Sequence, residues 1–339
     1  MNFCRQPFEN IEIFTNGDAY TCCPPWINNY SIGNIFKQSV EEVWNSDKAI
    51  ELRKKILSKD YSCCNKNICN YCNSNVAENL LDNSTLNIKY EPVMQTLPII
   101  VKLGYDLECN IACKFCRDKI VKNSFIDEIK LAKTFQTFIL PLLKNTQLLS
   151  TNGVGDPFGS RHSRNLIKKI AETYPNIRFD FLTNGTLCNM KMLRKLMVID
   201  RFDKMRISVS AASADTYSRI VKDGKPLFNI LTANLEALAK LKRERPFNFC
   251  LNFVVTSQNY KDIPAFISFA DQYDAKPCFW ELRFECSSLA KIDSSWDIVN
   301  KDHPEHKLFL ECLADKSLDK HQETISPILW NLREEVLRS

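Results

Sequence analysis

Six apolar runs, at 99–105, 147–152, 177–183, 205–211, 248–256 and 278–285, alternate with helical stretches near 126–144, 162–173, 189–198, 213–220, 227–243 and 261–273. Strands separated by a crossover helix run parallel, and their helices pack on the sheet. Six such repeats with short turns predict an α/β fold over 97–295, a partial (β/α)6, TIM-like barrel. Residues 1–90 read instead as a small cysteine-rich module. Within it, Ile11–Thr15 and Ala19–Cys22 flank the hairpin signal Asn16-Gly17, and Ser39–Leu57 reads as one helix with Val43, Trp44, Ile50 and Leu57 as apolar contacts. Residues 73–98, Asn-rich and ending in Pro92 and Pro98, read as a linker, and 296–339 as a helical tail without an assigned role.

Two strands say more than that they exist. In 248–256, Phe249, Leu251, Phe253 and Val255 oppose Asn248, Cys250, Asn252 and Thr256. In 278–286, Cys278, Trp280, Leu282, Phe284 and Cys286 oppose Phe279, Glu281, Arg283 and Glu285. Period-two alternation puts each pair of sets on opposite sheet faces. With helices over the apolar side, Glu281, Arg283 and Glu285 are expected in the barrel interior, as binding or proton-transfer residues. The alternative for the last strand is an edge position with one solvated face.

Cysteine is the compositional anomaly: there are 15, an odd number, and 10 lie in two clusters. The N-terminus lacks the basic region and apolar run of a secretion signal, so a disulfide framework is not expected. In a reducing cytoplasm such clustering means metal, as zinc or iron–sulfur. No stretch reaches the roughly 18 apolar residues of a membrane span. The net charge of +5 comes with no Lys/Arg run interleaved with aromatics, which gives nucleic-acid binding no support.

The segment Leu107-Glu108-Cys109-Asn110-Ile111-Ala112-Cys113-Lys114-Phe115-Cys116-Arg117 follows the first strand of the repeat region. Its C-x3-C-x2-C spacing supplies three thiolates from one loop. A cubane has four irons, so one is left open to an exogenous ligand; a three-cysteine zinc site with a fourth ligand from elsewhere is the alternative. With Phe115 before the last cysteine, the motif resembles the signature of the radical S-adenosylmethionine (SAM) superfamily. Later loops extend the resemblance. Gly153-Val154-Gly155-Asp156-Pro157 is similar to the glycine-rich segment that contacts the SAM amino group, with Asp156 where Glu is usual. Thr183-Asn184-Gly185-Thr186 ends the third strand. Ser208 and Ser210, read as sharing the interior face of the fourth, stand where relatives contact SAM's ribose or carboxylate. The resemblance covers 97–285 and implies a [4Fe–4S] cluster at Cys109, Cys113 and Cys116, with SAM held near Gly153, Gly155, Asp156, Pro157, Asn184, Ser208 and Ser210. It further implies reductive cleavage of SAM to a 5′-deoxyadenosyl radical, and a flavodoxin or ferredoxin as electron donor.

Gly17-Asp18-Ala19-Tyr20-Thr21-Cys22, Ile32-Gly33-Asn34-Ile35 and Glu41–Ser46, followed by Cys63, Cys64, Cys69 and Cys72, resemble the SPASM/twitch module, which binds auxiliary iron–sulfur clusters. Here it precedes the barrel rather than following it. The resemblance implies one auxiliary cluster on Cys4, Cys22, Cys69 and Cys72, with Cys64 the next candidate and Cys23 and Cys63 spare; four thiolates on structural zinc is the alternative. Cys286, at the end of the last strand, is a candidate hydrogen-atom donor. A "GDPF" barrel (Gly155–Phe158) behind such a module is similar to radical SAM proteins of surface-polysaccharide biosynthesis, which implies a nucleotide- or lipid-linked sugar as substrate. The alternatives are a peptide- or protein-modifying enzyme and a non-catalytic metal protein.

Overall fold

A computed structural model describes residues 3–69, 72, 88–151, 154–283 and 293–338. These fall into two compact units: Met1–Leu107 with Asn123–Gly155 and Ser160–Asp180, and Glu108–Lys122 with Asp156–Gly159 and Phe181–Ser339.

In the first unit, β1 (Asn10–Phe14) turns through Gly17 into β2 (Asp18–Tyr20), and β3 (Gly33–Asn34) completes an antiparallel trio. Gly17 sits at φ +81°, where an L side chain is strained, and an added Cβ there would lie 2.6 Å from the Phe36 ring. The single helix expected over 39–57 is two, α1 (Val40–Trp44) and α2 (Asp47–Leu57). Ser46 breaks it by capping α2, its side chain accepting from Ala49 N, while Ser39 and Glu42 form a capping box on α1. The fully buried Arg53 on α2 ties distant segments together, donating to Pro7 O (2.8 Å), Trp44 O (2.7 Å), Asn45 Oδ1 (3.1 Å) and Pro92 O (3.2 Å).

Next come β4 (Ile100–Gly104), α3 (Phe125–Thr134), β5 (Leu148–Thr151), α4 (Arg161–Thr173) and β6 (Arg178–Thr183), which leaves this unit after Asp180. Strand order in the unit is β3-β2-β1-β4-β5-β6, parallel from β1 onward. The cysteine-rich N-terminal segment therefore contributes a strand, β1, to the parallel sheet. Register aligns Ile11, Val101, Leu149 and Phe179 on one face and Glu12, Lys102, Ser150 and Asp180 on the other. The apolar row supplies core; the polar row is what an interior surface facing a polar molecule would carry.

The second unit holds α5 (Met190–Lys195), β7 (Phe202–Ser208), α6 (Ala214–Ile220), α7 (Gly224–Glu244), β8 (Asn248–Val255), α8 (Ile263–Asp271) and β9 (Lys276–Glu281), with β7, β8 and β9 parallel. All six expected repeat-region strands are present, and the α/β fold with parallel strands is as expected. The tail forms α9 (His306–Leu313) and α10 (Pro327–Arg338); just before α10, Ile325 makes a parallel bridge to Phe279, and Ser326 N donates to Phe279 O at 2.9 Å. The tail thus covers the open edge of β9, which would otherwise present unpaired backbone groups. No helix among the described residues is long and apolar enough to cross a membrane.

Two expectations about strand faces are corrected. Register pairs Phe253 with Phe279 and Val255 with Glu281, and Phe279 packs on Phe253 and on Phe266 of α8. Phe279 and Glu281 therefore lie on the helix-covered face, and Cys278 and Trp280 share the opposite face with Asn252. The error came from reading the apolar set of β9 as the covered one, when its partner strand decides. Likewise, Ser210 does not continue the alternation of Ser208. It lies past the end of β7 at φ +56°, its hydroxyl accepts from Val254 N at 3.0 Å, and its carbonyl accepts from Asn259 Nδ2 at 2.9 Å.

Candidate cluster-binding sites

The 109–116 loop lies in the second unit and is pinned at both ends. Cys109 bridges Val121 and Cys113 bridges Val221; Lys114 N donates to Ile220 O (2.9 Å) and Lys222 N to Ala112 O (3.1 Å). The Lys222-Asp223-Gly224 stretch owes its place to this contact. Gly224 opens α7 so close to Ser218 that an added Cβ would meet Ser218 Cα at 2.8 Å. Within the loop, Cys116 N and Arg117 N both donate to Cys113 O, at 2.8 and 2.9 Å, a tight turn that sets Cys113 and Cys116 side by side. Burial, and then the charge of Asp156, pushes the Cys109 thiol up to about 11; burial and the neighbouring Cys116 push Cys113 up too. Crowded thiols, of which Cys109 and Cys113 resist ionising in isolation, suit a centre whose positive irons compensate their charge.

Asp156 anchors what surrounds them. Its Oδ2 accepts from Thr183 Oγ1 (2.7 Å) and Asn184 N (2.8 Å), its Oδ1 from Phe158 N (3.0 Å) and Gly159 N (2.8 Å), and its own N–H donates to Glu108 O (2.9 Å). Burial still holds its carboxyl above the usual range. With both oxygens engaged by four donors, Asp156 braces the 156–159 and 183–186 loops against the cysteine loop. Asn184 donates from Nδ2 to Cys109 Sγ (3.7 Å) and Asn110 Oδ1 (3.0 Å), and Asn110 Nδ2 donates to Thr186 Oγ1 (2.8 Å). Gly159 approaches the cysteine loop closely: an added Cβ would stand 2.8 Å from Asn110 Oδ1 and 3.1 Å from its backbone N.

Of the other expected site residues, Ser208 lies on β7 beside Asn252, on the face shared with Cys278 and Trp280. Pro157 is buried in the Asp156 loop, and Gly155 precedes it. Arg283 Nε pairs with Glu281 Oε1 at 2.6 Å, an ion pair starting from the helix-covered face. Gly153 and Cys286 lie outside the described residues. The sequence reading gave no role to Asn110, Arg117, Gly159, Thr183 or Thr186. Asn and Thr at strand ends look like ordinary turn residues, and only the Gly-Asp-Pro-Phe-Gly run hinted at the close approach of Gly159.

In the first unit, Cys4, Cys22, Cys64, Cys69 and Cys72 line one cavity with Trp26, Leu52, Ile56 and Tyr61. Cys23 is outside it, and Cys63 lines a separate pocket with Asn28, Tyr30 and Lys55. Thiol hydrogen bonds from Cys64 and Cys69 hold Cys72 down to about 3, while burial pushes Cys4 up to about 11. Among the described residues no three His, Cys, Asp or Glu side chains meet at a single-ion position; the thiols surround a cavity instead, and a cubane's ligands each bind a different iron. The donor set is all thiol and its lining apolar, which fits an iron–sulfur cluster.

Residues 4–73 match the family model of SPASM, an iron–sulfur cluster-binding domain. The chain is 26% identical over 226 residues to the uncharacterized protein MJ0907 of Methanocaldococcus jannaschii, covering 63% of this chain and 74% of that protein. It is 27% identical over 123 residues to the FeMo cofactor biosynthesis protein NifB of the same organism, covering 34% of this chain and 40% of NifB. Among solved structures, Streptococcus suis SuiB bound to S-adenosylmethionine is similar at a TM-score of 0.47 and 16% identity, over 84% of this chain and 61% of SuiB. The chain thus spans less than two thirds of NifB and of SuiB. The match over residues 4–73 agrees with the SPASM resemblance of the N-terminal motifs, an iron–sulfur cluster-binding segment.

Proposed function

We propose that the chain reductively cleaves SAM and abstracts hydrogen from a nucleotide- or lipid-linked sugar. The observation that carries the reading is the pinned loop of Cys109, Cys113 and Cys116, three thiols for a four-iron centre. Cys109, Cys113 and Cys116 would hold a [4Fe–4S] cluster, which would supply the electron for splitting SAM into methionine and a 5′-deoxyadenosyl radical. The protein's part is to hold the loop rigid through Asp156, Asn184 and Asn110, and to offer polar sheet faces to the substrate. Ser208 and Asn252, on the unit that carries the cysteine loop, suit a hydroxyl-rich substrate better than an apolar one. Glu281 and Arg283 leave the substrate role to these residues. Cys4, Cys22, Cys69 and Cys72 provide the ligands of one auxiliary cluster, with Cys64 the next candidate. The electron donor is a small flavodoxin- or ferredoxin-type protein, and the compartment is the cytoplasm, where so many thiols stay reduced.

The test is deuterium transfer. The anaerobic enzyme, with SAM and dithionite, is incubated with ring-deuterated UDP-hexose, lipid-linked hexose or a peptide library. Deuterium in 5′-deoxyadenosine from a sugar supports the reading, and deuterium from peptides alone overturns the substrate assignment.

A further inference from the structure

Arg117 is the one basic side chain of the cysteine loop that is buried, at 4% exposure; Lys114 beside it is exposed. Its backbone N–H is held by Cys113 O, and its guanidinium donates from NH2 to Cys116 Sγ at 3.6 Å. On the far side of the triplet, Asn184 Nδ2 donates to Cys109 Sγ at 3.7 Å. Two of the three sulfurs thus carry an N–H donor, one of them cationic. Reduction adds one electron to a cluster, with no bond made and no proton moved, and donors or positive charge at the ligand sulfurs stabilise that more negative state.

We propose that Arg117 is a positioning residue that raises the reduction potential of the cluster on Cys109, Cys113 and Cys116 by acting through Cys116 Sγ, with Asn184 acting likewise through Cys109 Sγ. The proposal rests on the reading of these cysteines as ligands of a SAM-binding cluster. Its consequence is that the centre accepts an electron at a less negative potential than it would without these donors.

The experiment is a redox titration of the full, anaerobically reconstituted chain, followed by electron paramagnetic resonance. The cluster in question is identified as the signal that changes on adding SAM, which separates it from the auxiliary one. Arg117→Gln is expected to titrate at a more negative potential than the parent, with Arg117→Lys between the two because it keeps the charge and changes the donor. Asn184→Asp, which exchanges a donor for a carboxylate of the same size, is expected to shift the same way. Loaded Arg117→Gln protein with the parent's potential overturns the proposal. If that variant does not hold iron, parent-like potentials in both Arg117→Lys and Asn184→Asp overturn it instead. A parent protein with no SAM-responsive signal would contradict the ligand reading itself, a distinguishable result.

Discussion

Asp156 shows how one carboxylate can organise the loops around a site. Four donors converge on its two oxygens, so Asp156→Asn, with an NH2 in place of one oxygen, sets donors against donors at a cost of about 1–3 kcal/mol. Its pKa is raised above 3.8 in the folded state, so between that value and the raised one the folded chain binds more protons than the unfolded chain. Stability therefore falls as pH rises through that window. Denaturant titrations across the acid range should show this slope in the parent and its loss in Asp156→Asn; identical slopes would contradict it. Gly159 is the companion case. A Cβ there drives into Asn110 Oδ1 and the backbone of the cysteine loop, so Gly159→Ala should bind the cluster about 10-fold more weakly, read as lower iron content after reconstitution. Parent-like iron content would show that the loop yields cheaply.

At the level of elements, α2 acts through Arg53, which collects carbonyls from three separate segments near the SPASM cavity. Arg53→Met keeps the stem's packing but strands Pro7, Trp44 and Pro92 carbonyls, and should cost about 3 kcal/mol or more, read as a lowered denaturation midpoint. An unchanged midpoint would mean that water replaces the guanidinium. The elements also show what was legible beforehand. All six strands of the repeat region could be read, because apolar runs alternate with helical periods, and the hairpin followed from Asn16-Gly17. The break at Ser46 was not, since the helical period continues across it and only the cap reveals the stop. The faces of β9 were read backwards because its own residues are ambiguous: Phe279 and Trp280 are both large and apolar, and the register with Phe253 decides. Ser210 was misplaced because a left-handed residue gives no sign of itself in sequence. The three cysteines were legible as a metal-site candidate from their spacing, and the family resemblance, not the spacing, supplied the cluster assignment. Their braces, Asn110, Thr183 and Gly159, were not, because they belong to loops far apart in the chain.

For the molecule as a whole, the two proposed iron–sulfur sites make a countable expectation. With four irons to a cubane, anaerobically reconstituted protein should hold roughly eight irons. Cys69→Ala/Cys72→Ala should reduce this to about half, by removing two thiols of the SPASM cavity, and should leave the SAM-responsive signal in place. Bound zinc in place of iron would refute the auxiliary cluster. The central claim is that the 109–116 loop holds the cluster that cleaves SAM, and its most direct measurement is 5′-deoxyadenosine formed from SAM and dithionite under anaerobic conditions. The parent is expected to release the nucleoside and Cys113→Ala to release none above the dithionite blank, whereas product from Cys113→Ala at the parent's rate would contradict the assignment.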